Sequence, residues 1–339
     1  MGKQKKIIMN EYFDVLEKIK AQIKNAQYQI LTTANVQRNI LYWNIGKVIL
    51  EYSIWGNKFV ENLSKDLRLD FPGTQGYSVR NLNYMKQFAS RIPSEEILHQ
   101  VGAKINWRST KFLIDKTKTI EEYIWYAKKS LENGWSSTIL IHQIESGLYQ
   151  RQVLSDKTTN FKNQLLAPLG EQAEEIIKDP YVFDFLPNAK QMREIELENA
   201  LVQQITSLLL EFGSGFAFMG HQFPIQIGNR EFFIDLLFYN VKLHCYFVVE
   251  LKMVEFEPEF AGKLSFYLSA VDGELKTEKD NPTIGLLLCK GKDRMVAEYA
   301  LQDINKPMGI SEYRLSNEIS KELQQSLPSI EIIESRINR

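Results

Sequence analysis

The chain has 339 residues, a formal net charge of −1 and 44% hydrophobic residues, an ordinary composition for a soluble globular protein long enough to bury two cores. No stretch approaches the roughly 18 consecutive apolar residues of a membrane helix, and the start MGKQKKIIMNEYF lacks the apolar centre of a signal peptide, so a cytoplasmic protein without a membrane segment is expected. Two cysteines, Cys245 and Cys289, fall in apolar strand-like runs and with four His give no zinc spacing, which leaves them as small core residues.

The near-zero net charge hides an asymmetry. Residues 1 to 170 carry about +9 and residues 171 to 339 about −10. A basic front half suits phosphate binding and an acidic back half is compatible with a cation site, although scattered solvated charge gives the same totals.

Residues 8 to 54 read as helical, because Tyr12, Leu16, Ile19 and Ile23, then Ile40, Trp43, Ile45 and Val48, recur at helical spacing. From Asn62 to Ser90 the pattern predicts a helix, a break at Pro72 and Gly73, and a second helix capped by Ser78. Arg80, Asn81, Asn83, Lys86 and Gln87 on that second helix give the layout of a helix-turn-helix reader, and Arg80, Asn81 and Lys86 are candidate nucleic-acid contacts. An amphipathic hairpin with a polar outer face has the same pattern. Between His99 and Asp115, Lys104, Arg108 and Lys111 surround Trp107; Arg108 is a further candidate contact, against the alternative of a surface loop with one buried tryptophan. Two helices follow within residues 119 to 150, the first ended by Gly134 and the second capped by Ser136 or Ser137.

Residues 151 to 188 mix Ser, Thr, Asn and Lys with Pro168 and Gly170 and read as the most linker-like part of the chain. A helix from Arg193 to Phe212 then turns Leu197, Leu201, Ile205, Leu208 and Leu209 inward; Glu194 and Glu196 are expected on its solvated face. Phe216 to Ile227 reads as a strand, with Gln222 either an edge amide or a nucleic-acid contact.

The stretch EFFIDLLFYNVKLHCYFVVELK, Glu231 to Lys252, reads as a β-hairpin with Asn240 at its turn. Both arms are apolar enough to be buried, which makes Asp235 and Glu250 anomalous, since carboxylates are seldom buried without a partner, a metal or a proton. Centred near Lys242 and Leu243, the hairpin sets Asp235 across from Glu250, while strand alternation puts Glu250 and Lys252 on one face. Two carboxylates at close range suit a hard cation such as Mg²⁺, with Mn²⁺ as a substitute, and a lysine beside them can orient or deprotonate a bound water. The alternative is a structural ion pair on a sheet. Beyond the hairpin, Phe260 to Val271 is a helix with Lys263 one turn before Tyr267, and TIGLLLC, Thr283 to Cys289, is a continuous apolar run of the central-strand kind. A helix from Asp293 to Leu301, the strand GISEYRL and a charged C-terminal helix complete the chain.

Asp235 followed by Glu250, Leu251 and Lys252 resembles the signature of the PD-(D/E)xK nuclease superfamily, with Ile234 in place of the signature's proline. With the helix carrying Glu198 before it and EFAGKLSFYLSAVD after it, the order is similar to the bacterial YhcG-like family over nearly the whole chain. The resemblance implies an α + α/β protein. A mostly helical, winged-helix-like domain with a helix-turn-helix-like unit spans residues 1–165, a linker and lead-in residues 166–190, and a restriction-endonuclease-like α/β domain with a central mixed sheet residues 191–339. It further implies that Asp235, Glu250 and the Leu251 carbonyl hold Mg²⁺, that Glu198 completes the acidic cluster, that Lys252 acts on the water or the transition state, and that Lys263 contacts phosphate. The expected function is a Mg²⁺-dependent DNA endonuclease in recombination, repair or defence against foreign DNA, acting as a dimer. The alternative is a non-catalytic DNA-binding or adaptor protein that keeps the nuclease fold. No residue reads a 2′-hydroxyl, so an RNA substrate stays open.

Overall fold

The computed structural model describes residues 19–20, 22, 33–52, 58–73, 75–99, 104–186 and 192–315. Most of the helix expected before residue 33, and the charged helix expected at the C-terminus, lie outside these residues. The chain divides into two compact units, Met1–Ile144 and Glu145–Arg339.

The first unit is helical. Helices α1 (residues 33–51), α2 (Phe59–Asp70), α3 (Val79–Arg91), α4 (Trp107–Lys116), α5 (Ile120–Glu132) and α6 (Ser137–Glu145) follow in order. Their starts are set by short polar side chains that accept a backbone N–H left free by the first turn: Ser78 for α3, Asn106 for α4, Thr119 for α5 and Ser136 for α6. Gly134, at φ 62°, closes α5 in a left-handed conformation that suits glycine. Leu82, Met85, Phe88, Tyr123 and Tyr126 are buried along one face of their helices. Trp107 is buried as well, edge-on to Tyr42 and Phe88; the segment around it is the start of a helix, not a loop. The connection between α2 and α3 runs from Phe71 to Ser78, longer than the turn of about three or four residues in a helix-turn-helix reader. Among the described residues this unit has no strand, so the expected wing has no counterpart there.

The second unit is built on a seven-stranded mixed sheet. Strands β3 (Phe216–Ile227), β4 (Arg230–Asn240) and β5 (Cys245–Glu255) form an antiparallel meander, and β5, β6 (Ile284–Gly291) and β7 (Met308–Arg314) run parallel. Helix α10 (Pro258–Glu274) makes the crossover from β5 to β6, and α11 (Arg294–Gln302) that from β6 to β7. β6 is buried from Ile284 to Lys290's predecessor Cys289, as its unbroken apolar run requires in a strand covered on both faces. Gly285 lets α10 lie close, for a Cβ there would meet Leu264 at 2.9 Å.

The domain boundary lies earlier than the expected linker. β1 (Thr158–Thr159) pairs antiparallel and β2 (Tyr181–Val182) parallel with β7, and helix α7 (Leu169–Ile176) lies between them in sequence. Phe161, Leu165, Tyr181 and Phe183 enter the same core as β5 and β6. Local composition marked the segment as a linker because its apolar residues are widely spaced; their burial is supplied by a strand about 150 residues away. Buried Arg151 fastens the segment further, donating to Glu211 at 2.5 Å, and Glu211 also accepts the Val182 N–H. The single helix expected from Arg193 to Phe212 is two, α8 (Glu194–Gln203) and α9 (Ile205–Phe212), broken at Gln204, a break that nothing in the local sequence explains.

Candidate active site

The hairpin register is the one that the hairpin centre predicts. β4 and β5 pair from Asn240↔Cys245 to Leu236↔Val249, and one residue further Asp235 stands opposite Glu250. At that point the ladder gives way to a side chain: the Leu251 N–H donates to Asp235 Oδ2 at 2.9 Å. An aspartate here thus satisfies a buried backbone donor while its other oxygen remains available.

Glu250 is fully buried. Its Oε1 accepts from Lys252 Nζ at 3.1 Å and from Lys263 Nζ, and its Oε2 has no hydrogen-bond partner among the described residues. The Lys252 ammonium also donates to the Leu251 carbonyl at 2.7 Å and to Glu194 Oε1 at 2.6 Å. One cation therefore bridges Glu194, Glu250 and the Leu251 carbonyl, two of which are the oxygens that the sequence assigned to a metal. Lys263, on α10, is about half exposed and lies 5.3 Å from the Tyr267 ring centroid, one turn on as its spacing predicts.

Glu194 and Glu198 sit one turn apart on α8 and point the same way. Oxygens of Glu194, Glu198 and Asp235 lie within 4.8 Å of one another. Glu198 is buried and accepts a hydrogen bond from the Gln222 carboxamide. Glu196, in contrast, is an exposed residue whose side chain accepts the Arg193 N–H and caps the helix.

Electrostatics follow from this crowding. Burial, and then the Glu250 carboxylate, push the Asp235 carboxyl up to about 7 against the lowering by the Leu251 N–H. Burial likewise raises Glu198, with Glu194 and Glu250 adding to it against the Gln222 hydrogen bond. For Lys252, burial works against the charge, but Glu250, Glu194 and Asp235 together override it and hold the ammonium above its usual value.

Four carboxylates, those of Glu194, Glu198, Asp235 and Glu250, face two ammoniums, those of Lys252 and Lys263. The unpartnered Oε2 of a fully buried glutamate and this excess of negative charge fit a divalent cation held by oxygen ligands.

The structure thus brings together Asp235, Glu250, Leu251, Lys252, Glu198 and Lys263. Glu194 corrects the expectation of a solvated side chain: its spacing of four from Glu198 was the available signal, and only the packing of α8 on the sheet decides that the shared face looks inward. Gln222, too, lies inside the site.

The remaining candidates lie in the first unit. Arg80 and Arg108 are exposed on α3 and α4, and Lys86 is half-buried on α3. Asn81 is not a free reader. Its Nδ2 donates to the Gly76 carbonyl at 2.6 Å and its Oδ1 accepts from Trp107 Nε1 at 2.8 Å, so its amide joins α3 to α4 from within. Tyr84, which the sequence did not single out, takes a more prominent place. Arg80 lies 5.9 Å and Lys111 5.6 Å from its ring centroid, and its hydroxyl donates to Asp115 at 2.7 Å.

Comparison with known proteins agrees with this organisation. Residues 18–151 match the DUF1016 N-terminal domain and residues 174–328 the YhcG PDDEXK nuclease domain. YhcG of Escherichia coli (strain K12) is 28% identical over 90% of each chain. A repair endonuclease from Pyrococcus abyssi matches with a TM-score of 0.26 at 16% identity over 37% of this chain and 47% of its own, and the EndoMS-dsDNA2 complex with 0.26 at 17% over 36% and 46%. This chain therefore spans under half the length of those two structures. The chain thus carries a region that matches the DUF1016 N-terminal domain ahead of one that matches the YhcG PDDEXK nuclease domain.

Proposed function

We propose that the protein is a Mg²⁺-dependent endonuclease that hydrolyses DNA phosphodiester bonds in its second unit and gains affinity for the duplex through its first. The observation that carries this reading is the buried Glu250, with one unpartnered oxygen, set beside Asp235 at the point where the β4/β5 ladder stops. A buried carboxylate is paired, protonated or bound to a metal, and here four carboxylates face two ammoniums.

Asp235, Glu250 and the Leu251 carbonyl would hold the cation, with Glu198 and Glu194 binding its water shell or a second ion. Mg²⁺, once bound, supplies Lewis-acid polarisation of the phosphate and a more acidic water. Lys252 orients the nucleophilic water and stabilises charge on the phosphate; its three oxygen contacts make it a charged donor rather than a base. Lys263 is half exposed at the mouth of the site and reaches a phosphate oxygen once Glu250 is otherwise engaged. In the first unit, Arg80 and Lys111 beside Tyr84, with Arg108 and Lys86, offer cations that no carboxylate among the described residues pairs with, as a phosphate backbone requires.

The test is cleavage of linear, supercoiled and branched DNA with Mg²⁺ or Mn²⁺, beside Glu250→Ala and Lys252→Ala, with matched RNA duplexes as competitors. Cleavage lost in both variants supports the reading. DNA bound alike by all three proteins and cut by none would replace it with a non-catalytic scaffold.

A further inference from the structure

Gln222 occupies an unusual place. It lies on β3, the last strand of the sheet, where pairs His221↔Leu236 and Phe223↔Ile234 bracket it and so set it across from Asp235. Asp235 in turn stands opposite Glu250, so Gln222, Asp235 and Glu250 form one row across three strands. The row carries the acids of the site to within reach of the sheet edge.

The backbone at Gln222 is strained. Its φ is 43°, a left-handed value that a glutamine in a strand rarely adopts and that has no turn to justify it, since β3 continues on to Ile227. A register shift between Phe218 and Gly220 precedes it, and such bulges re-aim the side chains beside them. The result of the strain is visible: the carboxamide donates to Glu198 Oε2. Glu198 is buried on α8, and no other described residue donates a hydrogen bond to its side chain.

We propose that Gln222 is a positioning residue: the left-handed backbone of β3 aims its amide at Glu198 so that this carboxylate is held toward Asp235 for a divalent cation. The inference rests on the cation-dependent reading of the site and adds to it a residue outside the nuclease signature. Its chemistry is that of an outer partner which fixes the orientation of a ligand, a role whose loss costs about 10- to 100-fold in metal affinity.

The test compares wild-type protein with Gln222→Gly and Gln222→Ala, by calorimetric titration with Mn²⁺ and by thermal unfolding without it. Glycine accepts the positive φ without strain but has no amide. A positioning role predicts that Gln222→Gly unfolds at a temperature equal to or roughly 2 °C above wild type, while both variants bind Mn²⁺ at least about tenfold more weakly. A merely structural role predicts a lower unfolding temperature for Gln222→Gly, and that result, or unchanged Mn²⁺ affinity in the variants, overturns the inference. Wild-type protein that binds no Mn²⁺ overturns the underlying reading instead, and the inference with it.

Discussion

Two groups of cations, one in each unit, differ in whether a carboxylate holds them. In the second, Lys252 and Lys263 touch Glu250, Arg151 touches Glu211, Lys292 touches Asp179 and Lys306 touches Asp272. In the first, Arg80, Lys111 and Arg108 lie over the rings of Tyr84 and Phe112, and these three with Lys86 make no ion pair with any described residue. A cation locked to a buried carboxylate organises a site, because separating the pair leaves an uncompensated charge. A cation resting on an aromatic face keeps its charge available to a phosphate. On the proposed reading, the charge asymmetry of the sequence would be a division of labour, between a unit that concentrates negative charge for a cation and one that leaves positive charge for a polyanion.

The comparison breaks most severely at Glu250. Glu250→Ala leaves the Lys252 ammonium short of a partner, and the cleavage rate in Mg²⁺ is expected to fall on the order of 1000-fold, measured in single-turnover reactions. Phe161→Ala comes next. If residues 145–186 belong to the second unit, emptying a fully buried phenylalanine costs roughly 3–5 kcal/mol in chemical denaturation; a true linker would lose almost nothing.

A third experiment sharpens the contrast within the first unit. Arg80→Ala and Lys111→Ala should each reduce the slope of log affinity for duplex DNA against log salt by about 0.9, with thermal stability near wild type. Asn81→Ala should do the reverse, lowering stability by about 1–3 kcal/mol, since it orphans Trp107 Nε1 and the Gly76 carbonyl, and leaving the salt slope unchanged. Equal slopes for all three variants would remove the basis for reading this face as the DNA contact.

The smallest effect concerns a paired cation away from the site. Burial raises the Asp272 carboxyl, but the Lys306 ammonium and the Thr283 N–H together bring it below its ordinary value. An acid lowered on folding stabilises the fold fully above its unfolded value near 3.8 and loses that contribution as the pH falls through the lowered one. Lys306→Met should therefore flatten the dependence of melting temperature on pH below about 4 by a small amount, and leave it unchanged near neutrality.

How legible the molecule was in its sequence varies by residue. Asp235, Glu250 and Lys252 were legible because strand alternation and a hairpin centre fix who stands across from whom, and charged residues in apolar strands advertise themselves. The caps Ser78 and Ser136, and the buried strand after α10, were legible for the same local reason. Glu194, Gln222 and Asn81 were not. Each is a polar residue in an ordinary helical or strand pattern, and its role depends on which neighbour the packing brings: the site for Glu194, Glu198 for Gln222, Trp107 for Asn81.

By itself, then, the sequence determined the acidic and basic halves, the hairpin with its paired carboxylates, the order of helices and strands around it, and the resemblance of its two regions to known domains. Only the tertiary structure decided that residues 158–182 extend the sheet, that β3 bends to turn Gln222 inward, and that a helix brings two glutamates and not one to Asp235. The physical reason is range. Periodicity and capping act over a few residues, whereas burial of a side chain, and the desolvation that gives a carboxylate its function, depend on segments far apart in the chain.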